Sequence, residues 1–162
     1  IMTTVAAPHK QSRFSRKQWI IGSLVILVVT GLGYAAYSTI KMSYVPPDLD
    51  YALTRLSDKG VYRATYSSSE TPVPVNELHT WKLHVETAAG QPVDNAAISI
   101  FGDMPQHGHG MPTKPQITEH LGNGDYLVEG MKFQMGGWWK IDFTIEANGQ
   151  RDQVSFNLML QK

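Results

Sequence analysis

The segment MPQHGHGMP, residues 104–112, gathers the residue types in this chain that can do chemistry. Met104, His107, His109 and Met111 offer two thioethers and two imidazoles, spaced by Gly108 and Gly110 and framed by Pro105 and Pro112. In an extended segment His107 and His109, two apart, project to the same side, and the glycines let the backbone bend around an ion. Thioether with imidazole suits Cu(I), and imidazole also suits Cu(II) or Zn(II). Met131 and Met135 are further thioethers, and His79 and His84 lie on a neighbouring strand candidate. Two imidazoles with one thioether, or three imidazoles, make a reasonable ligand set drawn from His107, His109, Met104, Met111, Met131, Met135 and His79.

The same residues have a packing use. His107 and His109 can hydrogen-bond backbone in a long loop, and methionines fill gaps between sheets. His79 shares a face with Trp81 by period two, so a hydrogen-bonded core histidine competes with a third ligand. His84 reads as a solvent-facing strand residue, His120 as a surface residue near a turn, and His9 as part of the N-terminal tail. With no cysteine in the chain, thiolate sites, disulfides and haem attachment through Cys-x-x-Cys-His are excluded. A metal, if present, is held by His, Met or carboxylate. No nucleophile elbow, phosphate-cradling glycine loop or partnered carboxylate pair is present, and the chain reads as a non-enzyme.

These residues are carried behind an anchor. Residues 19–40, WIIGSLVILVVTGLGYAAYSTI, contain no charge. At about 1.5 Å per residue they reach roughly 33 Å, enough for a hydrocarbon core of about 30 Å. Trp19, Tyr34 and Tyr37 suit the headgroup level, and Gly31 with Ala35 forms one small-xxx-small pair. Lys10, Arg13, Arg16 and Lys17 precede the span and only Lys41 closely follows it, which puts the N-terminus in the cytoplasm. A cleavable signal peptide has the same parts, but this apolar run is longer than a usual h-region. All Asp and Glu residues lie from Asp48 onward, so a zero net charge hides a basic tail and a mildly acidic body, with no nucleic-acid surface. The division expected is a cytoplasmic tail (1–18), a transmembrane helix (19–40), a juxtamembrane linker or short helix (41–59) and an exported domain (60–162).

Pro46 and Pro47 end the span, and Leu49, Leu53 and Leu56 recur at helical spacing. After Gly60 the period becomes two. Strands are predicted over 61–67, 78–86, 96–101, 115–120, 126–130, 138–147 and 152–160, with hairpin turns at LGNGD and at Asn148-Gly149. About seven short strands and no helix beyond residue 60 define an all-β, immunoglobulin-like antiparallel sandwich. Its predicted core comprises Trp81, Leu83, Val85, Ile98, Ile100, Tyr126, Val128, Trp139, Ile141, Phe143, Ile145, Val154, Phe156 and Leu158. Trp138 and Trp139 cannot both point inward in an extended segment.

NELHTW (76–81), GQPVDNAAISIFGDMPQHGHGMPTKP (90–115), GDYLVEGMKFQMGGWW (124–139) and VSFNLML together resemble the FixH/YtkA-like family of small membrane-anchored exported proteins, from about residue 60 to 160. The resemblance implies an immunoglobulin-like sandwich behind one membrane helix, in a bacterial inner membrane with the domain in the periplasm. FixH itself is associated with assembly of copper-containing haem oxidases, and these blocks are closer to the YtkA-like sandwich. Two functions follow as expectations. One is a copper-handling or assembly factor for a membrane metalloenzyme such as a haem-copper oxidase. The other is a structural subunit or interaction module of a larger membrane complex, without metal.

Overall fold

The structure, a computed structural model, describes residues 15–161; His9, Lys10 and Arg13 of the basic tail lie outside the described residues. The chain divides into two units, residues 1–43 and 44–162.

In the first unit, α1 runs Arg16–Ser43 and is long and apolar enough to cross a membrane. Its start is a capping box: Gln18 N donates to Ser15 Oγ (3.4 Å) and Ser15 N to Gln18 Oε1 (2.8 Å). The polar side chains within the apolar run satisfy themselves locally. Ser23 Oγ donates to the Trp19 carbonyl and Thr30 Oγ1 to that of Ile26, each at 2.9 Å. Such back-bonding removes the need for water as a partner, which a lipid-exposed helix cannot find.

The second unit is a two-sheet sandwich. Its strands are β1 (Thr54–Leu56), β2 (Tyr62–Ser68), β3 (His79–Thr87), β4 (Ala97–Met104), β5 (His109–Gly110), β6 (Gln116–Gly122), β7 (Asp125–Met131), β8 (Gly137–Ala147) and β9 (Gln150–Leu160). One sheet has the order β1-β2-β3-β7-β6, the other β5-β4-β8-β9, and paired strands run antiparallel. Period two in the sequence becomes strict alternation in burial along β3, β8 and β9. Trp81, Leu83, Val85, Tyr126, Val128, Trp139, Ile141, Phe143, Ile145, Val154, Phe156 and Leu158 are all buried, as expected. Ile98 and Ile100 are only half-buried, because β5 pairs with β4 at Asp103 and Met104 alone and leaves the rest of β4 as an open rim. Trp138 points the other way from Trp139 and donates its Nε1 hydrogen to Asn157 Oδ1 at 3.0 Å.

Both hairpin turns form as two-residue loops with positive φ at each central residue: Asn123 (55°) with Gly124 (76°), and Asn148 (52°) with Gly149 (73°). That is the mirror-image turn whose twist matches the flanking strands. The linker differs from expectation. Residues 54–56 pair with β2 instead of forming a helix; Leu53 and Leu56 remain exposed, while Arg55 reaches across to the Ser155 carbonyl at 2.8 Å. A leucine stripe at helical spacing needs a surface to bury against, and here β2 supplies edge hydrogen bonds instead.

Polar ties hold the layers. Tyr62 Oη donates within reach of the Ala147 (2.9 Å) and Gln150 (3.0 Å) carbonyls on the other sheet's hairpin. Buried Asp152 accepts from the Lys59 and Val61 amides, pinning the 57–61 turn to β9. On the outer face of β3, His84 is half-buried and not simply solvated: its Nδ1 lies 2.7 Å from Asp125 Oδ1, and Lys82 Nζ lies 3.2 Å from Oδ2 of the same carboxylate.

Candidate functional site

β4 ends at Met104, the chain reverses through residues 105–108, and β5 returns along it. The Met104 carbonyl accepts from both His107 N (3.0 Å) and Gly108 N (2.9 Å), and Gly108 takes a φ of 68° that glycine allows freely. The segment is thus a closed turn. His107 and His109 are both exposed, with ring centroids 5.7 Å apart and planes inclined by only 25°. Gln106 Nε2 donates to the carbonyl of Tyr44 at 2.8 Å.

Register decides which other residues stand near the pair. Met104 and His109 are direct cross-strand partners, so their side chains leave the sheet on one face. Asp103 pairs with Lys140, which puts Trp139 next in the same row on β8. The His109 ring meets the Trp139 ring edge-on at 6.3 Å, beside the fully buried Met104. Two glycines make room for thioethers here. A Cβ on Gly137 would lie 2.9 Å from the Met104 methyl, and one on Gly102 would lie 2.6 Å from Met111 Sδ.

The remaining candidate ligands separate. Met111 is half-buried against Gly102, and Met135 is 40% exposed, next to a residue bonded to His109. Met131 is fully buried in the other sheet, as the cross-strand partner of His79. His79 is buried against Phe133 (5.6 Å), which packs on Trp139 (5.1 Å), so two rings intervene in the stack between His79 and His109. His79 Nδ1 sits 3.2 Å from the Glu77 carbonyl, which assigns it the proton; its Nε2 is buried with no partner among the described residues, as is Trp81 Nε1. A buried polar atom left in this way costs about 1–3 kcal/mol. Among the described residues no three His, Asp or Glu side chains gather as a metal group, so the donors the turn itself offers are two imidazoles and the neighbouring thioethers.

Gln134 is the site residue that local pattern did not disclose. Half-buried, it places Nε2 3.0 Å from His109 Nδ1 and 3.1 Å from the Gly110 carbonyl. Its only sequence signal is a polar residue between two apolar ones, Phe133 and Met135. Nearby, two carboxylates crowd the outer face of β4 and β8: burial first, then the neighbouring Asp142 charge, raise the pKa of Asp103, while Lys140 opposes them.

The described residues thus form a nine-stranded sandwich with a histidine-methionine turn, in a chain whose α1 is apolar and long enough to span a bilayer. The chain matches the YtkA-like family over residues 57–144, more than half its length, and belongs to that family. The match includes every candidate ligand and Gln134, but not β9. The fold is also similar to the crystal structure of a DUF4426 family protein from Pseudomonas aeruginosa PAO1, at 19% identity and a TM-score of 0.44, covering 65% of this chain and 96% of that one. Comparison with curated proteins finds no match.

Proposed function

We propose that this protein is a membrane-anchored accessory factor, exported to the periplasmic side, that handles copper during assembly of a membrane metalloenzyme such as a haem-copper oxidase. The observation that carries the reading is the exposed, stacked His107–His109 pair on a closed turn, with a thioether in the same row. Two imidazoles sharing an ion at about 2 Å each have centroids no more than about 6.5 Å apart. At 5.7 Å, the pair is close enough to bind jointly once the rings rotate out of their near-parallel arrangement. Met104, the cross-strand partner of His109, and the exposed Met135, next to Gln134, are the thioethers that would complete the set. Cu(I) held this way would be coordinated by few, soft and exchangeable donors, which suits transfer to a partner. Gln106 ties the turn to the Tyr44 carbonyl, at the start of the second unit.

A second reading is a metal-free structural subunit. It is favoured by the hold that Gln134 and Trp139 have on His109, which makes the turn a preformed recognition surface. Copper content separates the two. The full chain in detergent, titrated with Cu(I) against a competing chelator, should bind one ion, and a His107→Ala, His109→Ala double variant should lose it while keeping its sheet signal. Stoichiometric copper retained by the double variant removes the turn as the site. No binding by the wild type favours the structural subunit.

A further inference from the structure

The hydrogen bonds around His109 specify which of its nitrogens carries the proton. The side-chain nitrogen of an amide has two hydrogens and accepts nothing. Gln134 Nε2 therefore donates at both of its contacts, to the Gly110 oxygen (3.1 Å) and to His109 Nδ1 (3.0 Å). Turning the amide over would set Oε1 against the Gly110 oxygen, two acceptors with no hydrogen between them. With Nδ1 accepting, the neutral ring keeps its proton on Nε2. Neither nitrogen then has a free lone pair: one is engaged by Gln134 and the other is protonated.

An ion has two ways in. It can take Nδ1 by displacing the Gln134 hydrogen. Alternatively, the exposed ring loses its Nε2 proton to water and takes one from water at Nδ1, where the Gly110 oxygen stands 3.4 Å away as acceptor. The far end of Gln134 does not hold the amide in place, since Oε1 is buried with no partner among the described residues. Gln134 is thus fastened through its nitrogen alone, to the very groups an ion would rearrange.

We propose that Gln134 is a positioning residue that sets the tautomer of His109 and so decides which nitrogen the ring presents to copper. This rests on the copper reading above, but the tautomer is measurable without metal. Metal-bound histidines are commonly oriented by an acceptor on the second nitrogen; here that position is filled by a donor, which opposes ligation through Nε2. Replacing the amide with a carboxylate reverses the preference, because Glu accepts from Nδ1–H and leaves Nε2 bare.

The test uses the full chain, 15N-labelled and metal-free in detergent, at a pH of about 8.5, about two units above the ordinary imidazole pKa. Two-bond 1H–15N correlations report the tautomer, with His109 assigned by its loss in His109→Asn. The wild type should show the Nε2–H form, Gln134→Glu the Nδ1–H form, and Gln134→Leu a mixture. An Nδ1–H wild type, or no change in Gln134→Glu, overturns the proposal. In Cu(I) competition titrations Gln134→Glu should bind about tenfold more tightly than wild type. If the tautomers are as stated and Gln134→Glu binds no more tightly, the copper half of the proposal is wrong. If no variant binds copper at all, the copper reading itself fails, and the hold of Gln134 on His109 stands on the spectra.

Discussion

Trp139→Ala tests the link between the core and the histidine turn. Trp139 is fully buried, packs edge-on against Phe133 at 5.1 Å, stands beneath His109, and donates its Nε1 hydrogen to the Met135 carbonyl at 3.0 Å. Truncating a buried Trp costs about 3–5 kcal/mol through lost transfer energy and the cavity left behind. The lost hydrogen bond adds about 1 kcal/mol. A domain of this size has about 5–15 kcal/mol in total, so the loss takes a large share of its margin. With a urea dependence of about 1.5–2 kcal/mol per molar, the midpoint should fall by about 2–4 M. Urea titration of the full chain in detergent, followed by the sheet signal in circular dichroism, measures this. Trp139→Phe restores most of the buried ring but not the N–H, and should recover more than half of the loss. A midpoint in Trp139→Ala within about 0.3 M of wild type would refute the packing assignment.

Gly102→Ala puts a Cβ 2.6 Å from Met111 Sδ and 2.7 Å from Ile141 Cδ1, so Met111 must leave its seat; the expected cost is about 1–3 kcal/mol. A double-mutant cycle with Met111→Ala should show coupling of at least about 0.5 kcal/mol, and simple additivity would refute the contact. At Asp152, burial raises the carboxyl pKa, but hydrogen bonds from the Ser57 hydroxyl and the Gln153, Val61 and Lys59 amides outweigh it and hold it low. Its contribution is therefore present above the ordinary carboxylate range and lost as pH falls through the lowered folded value. Asp152→Asn should cost about 2 kcal/mol at neutral pH and flatten the loss of stability below about pH 4; equal acid sensitivity in variant and wild type contradicts this. For topology, an enzyme reporter that works only after export, fused after Lys162, should be active; activity of a reporter restricted to the cytoplasm overturns the proposed orientation.

Local signals in the amino-acid sequence determined the long apolar helix, most of the strands and both tight hairpins. A charge-free run is long enough or it is not, period two survives wherever one face is buried, and Asn-Gly selects its turn from two residues. The turn at 104–112 was legible for the same reason, since its histidines, methionines and glycines are neighbours in the chain. Tertiary pairing decided what surrounds it. Whether a methionine is a core filler or stands beside His109 depends on sheet register: Met104 is its cross-strand partner, while Met131 lies in the opposite sheet beside His79. The short strands β1 and β5 arose from pairing, not propensity, and so carried no pattern of their own. Gln134 reaches His109 across 25 positions, and Gly102 is kept free of a side chain by Met111 and Ile141 from other segments. Contacts of that kind form only when separate strands are brought side by side, and no periodicity within either segment encodes the other.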